Sequence, residues 1–215
     1  ANRRFDEVSL IAVTKTYPAD DVLRLAGLGV RDLGENRDQE ASAKAAAVAA
    51  AGAGVTWHFL GRLQRNKCRS VVRYADLVHS VDRIVLASAL SDMAVRHRTS
   101  ALGALVQVSL DGDPGRGGTV VGGTDPDTAL ASVLAAVDAA PGLALRGIMA
   151  VAPRDWSPDE AFEQLQSVAG FVRAEYPHAS WLSAGMSGDL ESAVAHGSTH
   201  VRVGSAVLGK RSALR

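Results

Sequence analysis

Short apolar runs alternate with stretches of helical spacing along the whole chain, and the alternation repeats eight times. The runs that read as strands are Ser9–Lys15, Arg31–Asn36, Thr56–Gly61, Leu77–Asp82, Ala104–Leu110, Leu145–Val151, Trp181–Met186 and His200–Val207. Between them apolar residues recur on one helical face, as in Phe162, Leu165, Val168 and Val172, or Leu130, Val133, Leu134 and Val137. Ser157-Pro158-Asp159-Glu160 offers an N-cap, a proline at the first helical position and a glutamate three residues after the cap. Asp125-Pro126 repeats the first two of these signals. Eight β-then-α units in 215 residues predict an α/β protein built as a closed (β/α)8 TIM barrel. An open doubly wound sheet is the alternative, although it rarely needs so regular a count. No linker or shift in composition interrupts residues 1–215, which predicts a single domain.

Charge narrows the range of partners. The 23 basic and 23 acidic residues cancel, and neither forms a long block. This balance lacks the footprint of a protein that binds nucleic acid or a membrane surface. The opening A-N-R-R-F-D-E has no apolar segment of the signal-peptide kind. The run from Ala45 to Val55 is too short and alanine-rich to span a bilayer. Cys68 is the single cysteine and cannot form an internal disulfide, so a soluble protein of the reducing cytoplasm is expected. Cys68 itself falls on a predicted helix as a small packed residue. The six histidines show no metal-ligand spacing.

Chemistry gathers where a barrel keeps its working residues, at the C-terminal ends of strands. Lys15 closes the first run, S-L-I-A-V-T-K, where an ammonium is costly unless it is used. A desolvated lysine there is a candidate nucleophilic amine; a solvated, snorkelling lysine is the bland alternative. Strand seven leads into Met186-Ser187-Gly188-Asp189, where Ser187 can cap the next helix and the helix N-terminus favours an anion. Asp189 in that first turn opposes a phosphate. In strand eight, period-two alternation puts Arg202 and Gly204 on one face and Val201 and Val203 on the other. An arginine inside a barrel needs a fixed partner, and a carboxylate such as Glu35 would also satisfy it. The same alternation groups Ile11, Val13 and Lys15, so Lys15, Arg202 and the Ser187 turn converge on one mouth if that face is internal. Ser205 adds a hydroxyl there. An amine, a phosphate cradle and a ring partner are what pyridoxal phosphate requires. The glycine-rich stretch Gly112–Thr124 reads as a mobile loop whose glycines could also cradle a phosphate.

Six motifs occur in order: A-V-T-K-T-Y-P (12–18), G-E-N-R-D-Q-E (34–40), W-H-F-L-G-R-L-Q-R-N-K (57–67), R-G-I-M-A (146–150), L-S-A-G-M-S-G-D (182–189) and V-R-V-G-S-A-V-L-G (201–209). Together they resemble the pyridoxal-phosphate homeostasis proteins of the YggS/PROSC type, which share the fold-type III barrel of alanine racemase. The resemblance implies pyridoxal 5′-phosphate as cofactor, with Lys15 holding it as a Schiff base and Arg202 facing the pyridine nitrogen. It further implies phosphate contacts at Ser187, Gly204 and Ser205, and a pocket-lining Asn36. His58 lies in a shared motif and is expected to be packed or structural. Relatives usually carry an N-terminal helix before the first strand, and here only Ala1–Glu7 stand in its place. Ser205 stands where many have threonine. Arg116 takes a loop position often held by lysine and cannot form a Schiff base.

Fold-type III racemases add a second domain that supplies a catalytic tyrosine, whereas this sequence ends at Arg215, just past the last predicted strand. None of Tyr17, Tyr74 and Tyr176 reads as placed for proton transfer. The expectation is therefore a cofactor-binding protein that stores, delivers or buffers pyridoxal phosphate without turnover. Apo enzymes that use the cofactor are the expected recipients, and a monomer or weak dimer is the simplest assembly. Rival readings are a fold-type III amino-acid racemase or decarboxylase, and a Schiff-base aldolase without cofactor. A P-loop in G-S-A-V-L-G-K (204–210) fails because Arg211 replaces the magnesium-binding Ser/Thr.

Overall fold

The computed structural model describes residues 3–113 and 115–209. Lys210 and Arg211, on which the P-loop reading turned, lie outside the described residues, as do Ala1 and Asn2 of the opening segment. The first half of the barrel comprises β1 (Ser9–Val13), α1 (Ala19–Gly27), β2 (Asp32–Glu35), α2 (Asp38–Ala50) and β3 (Thr56–Phe59). It continues with α3 (Cys68–Val71), β4 (Leu77–Val81) and α4 (Ile84–His97). The second half runs through β5 (Leu102–Ser109), β6 (Thr119–Val120), α5 (Leu130–Asp138), β7 (Leu143–Ala150) and α6 (Pro158–Glu175). It ends with β8 (Trp181–Ser183), α7 (Leu190–Ala195), β9 (His200–Val203) and α8 (Ser205–Leu208).

All pairings are parallel, in the order β4-β3-β2-β1-β9-β8-β7-β5, and the β4–β5 pair closes the ring. Eight strands therefore make a (β/α)8 barrel, as the alternation predicts, and the open sheet is excluded. The ninth strand, β6, pairs with the end of β5 through Val108↔Thr119 and Ser109↔Val120. It falls within the Gly112–Thr124 stretch, so part of that predicted loop is ordered against the barrel. Each barrel strand stops short of its predicted C-terminal end, because the chain leaves the ladder there to build the mouth. The largest excess is at the end: Ser205–Val207, read as strand, belong to the helical turn Ser205–Leu208. Asp125-Pro126 starts a separate turn, in which Ala129 N donates to Asp125 O at 2.8 Å, and α5 begins only at Leu130. Ser157 does cap α6, accepting from Glu160 N at 3.2 Å.

Alternation along the strands divides the apolar residues into two layers. Ala12, Leu33 and Trp57 pack outward against Val22, Leu25, Ala45 and Val48 of the first two helices. Their neighbours Ile11, Val13, Gly34 and His58 therefore face inward. Leu77, Leu105 and Met149 form an inner cluster with Trp181. Beside these apolar groups the interior also buries His58, His79, Ser183, His200 and Arg202, an arrangement that the apolar runs did not announce.

Candidate functional site

The first strand ends at Val13, and Thr14 is buried while Lys15 is exposed in the turn that follows. The expectation of a desolvated amine at the strand tip is thus corrected: Lys15 stands two residues beyond β1, at the open end of the barrel. Thr16 takes φ +70°, the one non-glycine residue with positive φ among those described. For a β-branched residue this conformation costs about 1–3 kcal/mol and must be imposed by its surroundings. The restraint comes from below. Tyr17 N donates to Thr14 O at 3.0 Å, and Thr16 N donates to the Glu40 carboxylate. The buried Lys44 ammonium donates to Thr14 O at 2.8 Å, to Glu40 Oε1 at 3.1 Å and to Glu35. Thr14 Oγ1 donates to Glu35 Oε1 at 2.6 Å. Burial pushes the Glu35 carboxyl up, while Lys44 and Thr14 pull the other way. One buried lysine on α2 thus clamps the peptide that carries Lys15.

Arg202 lies inside the barrel on β9, on the face that alternation assigned to it, and is 5% exposed. Its partners are not Glu35, which Lys44 occupies. Nη1 donates to Ser183 O at 2.7 Å and Ser183 Oγ at 2.8 Å, and Nη2 donates to Ala150 O at 2.9 Å. Among the described residues, two of its five N–H groups have no protein acceptor. Burial brings the guanidinium down to about 10, against the opposing pull of Asp189, so it remains a cation at neutral pH.

Ser187 does not cap a helix. The cap position of α7 belongs to Asp189, whose Oδ1 accepts from Met186 N at 2.6 Å. That bond closes the Met186–Asp189 turn, so Asp189 shapes the loop to which sequence had it only as an objection. Among the described residues, the amides of Ser187, Gly188, Gly204 and Ser205 have no backbone acceptor. Gly204 also lies close to its neighbour, since a Cβ there would sit 3.3 Å from Val13 O.

These pieces meet in one cavity of about 510 Å³, which Lys15, Asn36, Ser187, Arg202, Gly204 and Ser205 line together. Every site residue named from the sequence borders it. Tyr17 borders it too, although sequence reading set it aside; its hydroxyl donates to Gly209 O at 2.9 Å. A tyrosine two residues past the candidate lysine was the available signal. Gly117 and Arg116 of the glycine-rich stretch instead line a neighbouring cavity of about 670 Å³, which shares Val151 and Met186 with the first. Arg116 is anchored there by Val151 O at 3.0 Å and Ala152 O at 2.9 Å. His58 is buried and hydrogen-bonded away from the cavity. Cys68 is buried in α3, and burial pushes its thiol up to about 11. Among the described residues no group of His, Cys, Asp and Glu is arranged to hold a metal, and no helix is long and apolar enough to cross a membrane.

A parallel eight-stranded barrel with an amine, a buried arginine and unpaired amides at its C-terminal mouth defines a barrel of the alanine racemase kind. The family described as "Alanine racemase, N-terminal domain" matches residues 1–212. Alanine racemase from Corynebacterium glutamicum superposes with a TM-score of 0.70 over 97% of this chain and 59% of its own, and at 14% identity the likeness is one of fold. Closer relatives are more specific. The pyridoxal phosphate homeostasis protein of Mycobacterium bovis is 50% identical over 224 residues, covering 98% of this chain and 86% of the relative. That of Escherichia coli K12 is 35% identical, covering 96% and 87%. PipY of Synechococcus elongatus PCC7942, solved with PLP bound, is 34% identical with a TM-score of 0.81, covering 97% of this chain and 95% of PipY. The chain belongs to the pyridoxal phosphate homeostasis protein family.

Proposed function

We propose that this chain binds pyridoxal 5′-phosphate in the 510 Å³ cavity, as a Schiff base on Lys15, and takes part in intracellular homeostasis of the cofactor by storing, delivering or buffering it. The observation that carries the reading is the convergence of Lys15, Arg202 and the Ser187 and Gly204 turns on one cavity. The donor set suits the group. Unpaired amides and the Ser187 and Ser205 hydroxyls offer donors to a phosphate, and a donor-only guanidinium suits an unprotonated pyridine nitrogen. Once bound, the cofactor supplies the aldehyde that the amine holds and the conjugated ring whose absorption reports it. Holding rather than turnover is favoured by Tyr17, the one tyrosine lining the cavity among the described residues. Its hydroxyl is committed to the carbonyls of Gly209 and Leu208, at 2.9 and 3.3 Å. Apo enzymes that need the cofactor are the proposed recipients, in the cytoplasm.

Visible absorption of the purified protein with added pyridoxal phosphate tests the proposal. The wild type is expected to develop a band that Lys15→Ala lacks, and borohydride reduction should leave a pyridoxyl adduct on Lys15 by mass spectrometry. A wild type that stays colourless and unmodified overturns it. Exchange of an amino acid's α-proton that disappears in Lys15→Ala would mark turnover instead.

A further inference from the structure

Behind Arg202 a chain of side chains runs through the barrel interior to its opposite end. Ser183 Oγ, which accepts from Arg202, lies 3.1 Å from His79 Nδ1. His79 Nε2 lies 2.9 Å from His58 Nδ1, and His58 Nε2 lies 3.0 Å from Asp32 Oδ1. Strands β4 and β8 are not neighbours in the ring, so the His79–Ser183 contact crosses the interior. His58, His79 and Ser183 are buried, whereas the Asp32 side chain is 36% exposed at the start of β2.

The chemistry of the two ends fixes the direction of every link. A guanidinium only donates, so Ser183 Oγ accepts and its own proton is free to go to His79 Nδ1. A neutral His79 then carries its proton on Nε2 and donates it to His58 Nδ1. A neutral His58 likewise carries Nε2–H and donates to the acceptor-only Asp32 carboxylate. All four bonds are made with no ring charged. The reverse order makes His58 an imidazolium and leaves the Ser183 proton without a partner in the chain. Other charged or titratable groups near it are His200, which acts electrostatically with both rings and Asp32, and Asp189, which acts on Arg202. Burial, the largest influence on His79, holds it well below the ordinary histidine value and so favours the neutral ring.

We propose that Asp32, His58, His79 and Ser183 are positioning residues for Arg202, forming one directed hydrogen-bond chain that holds the guanidinium in place at the cavity from the opposite end of the barrel. Its bearing on the ligand rests on the reading of the cavity as a pyridoxal phosphate site. A chain of this kind polarises along its length, and loss of a distant member is felt at the last donor.

Two measurements test it. Long-range ¹H–¹⁵N NMR of the histidine rings in the cofactor-free protein is expected to give His58 and His79 as neutral Nε2–H tautomers at neutral pH. An imidazolium at His58 or a proton on His79 Nδ1 overturns the direction. Asp32→Ala touches nothing in the cavity, yet it is expected to shift the bound cofactor's band and weaken pyridoxal phosphate binding about tenfold, a loss typical of an outer partner that orients a ligand. It should also speed solvent exchange of Arg202 Nε–H without cofactor. An unchanged band, affinity and exchange rate overturn the positioning role. If the wild type takes up no pyridoxal phosphate, the functional reading fails, and the NMR and exchange data still decide the chain.

Discussion

His200 illustrates how much one interior residue can set. Its ring stacks on Trp181 with centroids 4.0 Å apart, and Thr199 Oγ1 lies 2.8 Å from its Nδ1. Burial, the largest influence, brings its value down to about 4, against the pull of Asp32. The folded state therefore keeps the ring neutral, while the unfolded chain takes up a proton below the ordinary value of about 6.5. The resulting stability is complete above about pH 6.5 and is lost as pH falls towards 4, at most about 3 kcal/mol for this residue. His79 is displaced in the same direction, so acid lability should be steep. His200→Phe keeps the stack and removes the titration; urea midpoints between pH 7 and pH 4.5 should then fall less than in the wild type. Neither His79 nor His200 was singled out by sequence. The contact that gives His79 its role is with Ser183, 104 residues away, and nothing local records it.

At the level of elements, the strand count was legible and the strand ends were not. Parallel barrel strands are apolar runs between amphipathic helices, so eight repeats survive in the sequence. The turns after them keep the same small and apolar character: Ala184-Gly185-Met186 reads on from β8 although it has left the ladder. Lys15, Arg202 and the Ser187 turn were found because strand ends carry their motif residues, whereas the φ +70° at Thr16 has no signature in a T-K-T-Y string. Lys44 did leave one, a lone lysine among the inward positions Ala41, Ala45 and Val48 of α2. Close approach between two of these turns is also testable. A Cβ at Gly61, just past β3, would lie 2.0 Å from the carbonyl oxygen of cavity residue Asn36. Gly61→Ala must move one strand end against the other, with an expected loss of about 2–3 kcal/mol in denaturant unfolding. Ligand affinity should fall with it, because Asn36 moves.

For the molecule as a whole, the ties between elements decide where rigidity sits. The Lys44–Glu35 pair joins α2 to β2 with both side chains almost fully enclosed, 4% and 1% exposed. Lys44→Met leaves Glu35 buried without its cation, an expected cost of about 3 kcal/mol at pH 7. The sign with pH is opposite to that of His200. Burial already pushes Glu35 up, so the folded variant gains a proton before the unfolded chain does, and the deficit should shrink as pH falls towards 5. Urea unfolding at the two pH values measures both effects. The other end of the cavity is held far more lightly. Only Ser205–Leu208 form α8, and the Tyr17 hydroxyl ties its last carbonyls to the lysine turn. A single helical turn opens by local fraying at much lower free energy than the barrel unfolds. In the proposed role this latch is then expected to time the departure of a ligand. Tyr17→Phe should shorten residence in a stopped-flow competition while leaving the melting of the barrel nearly unchanged, which is how a carrier can hold its cargo firmly and still surrender it quickly.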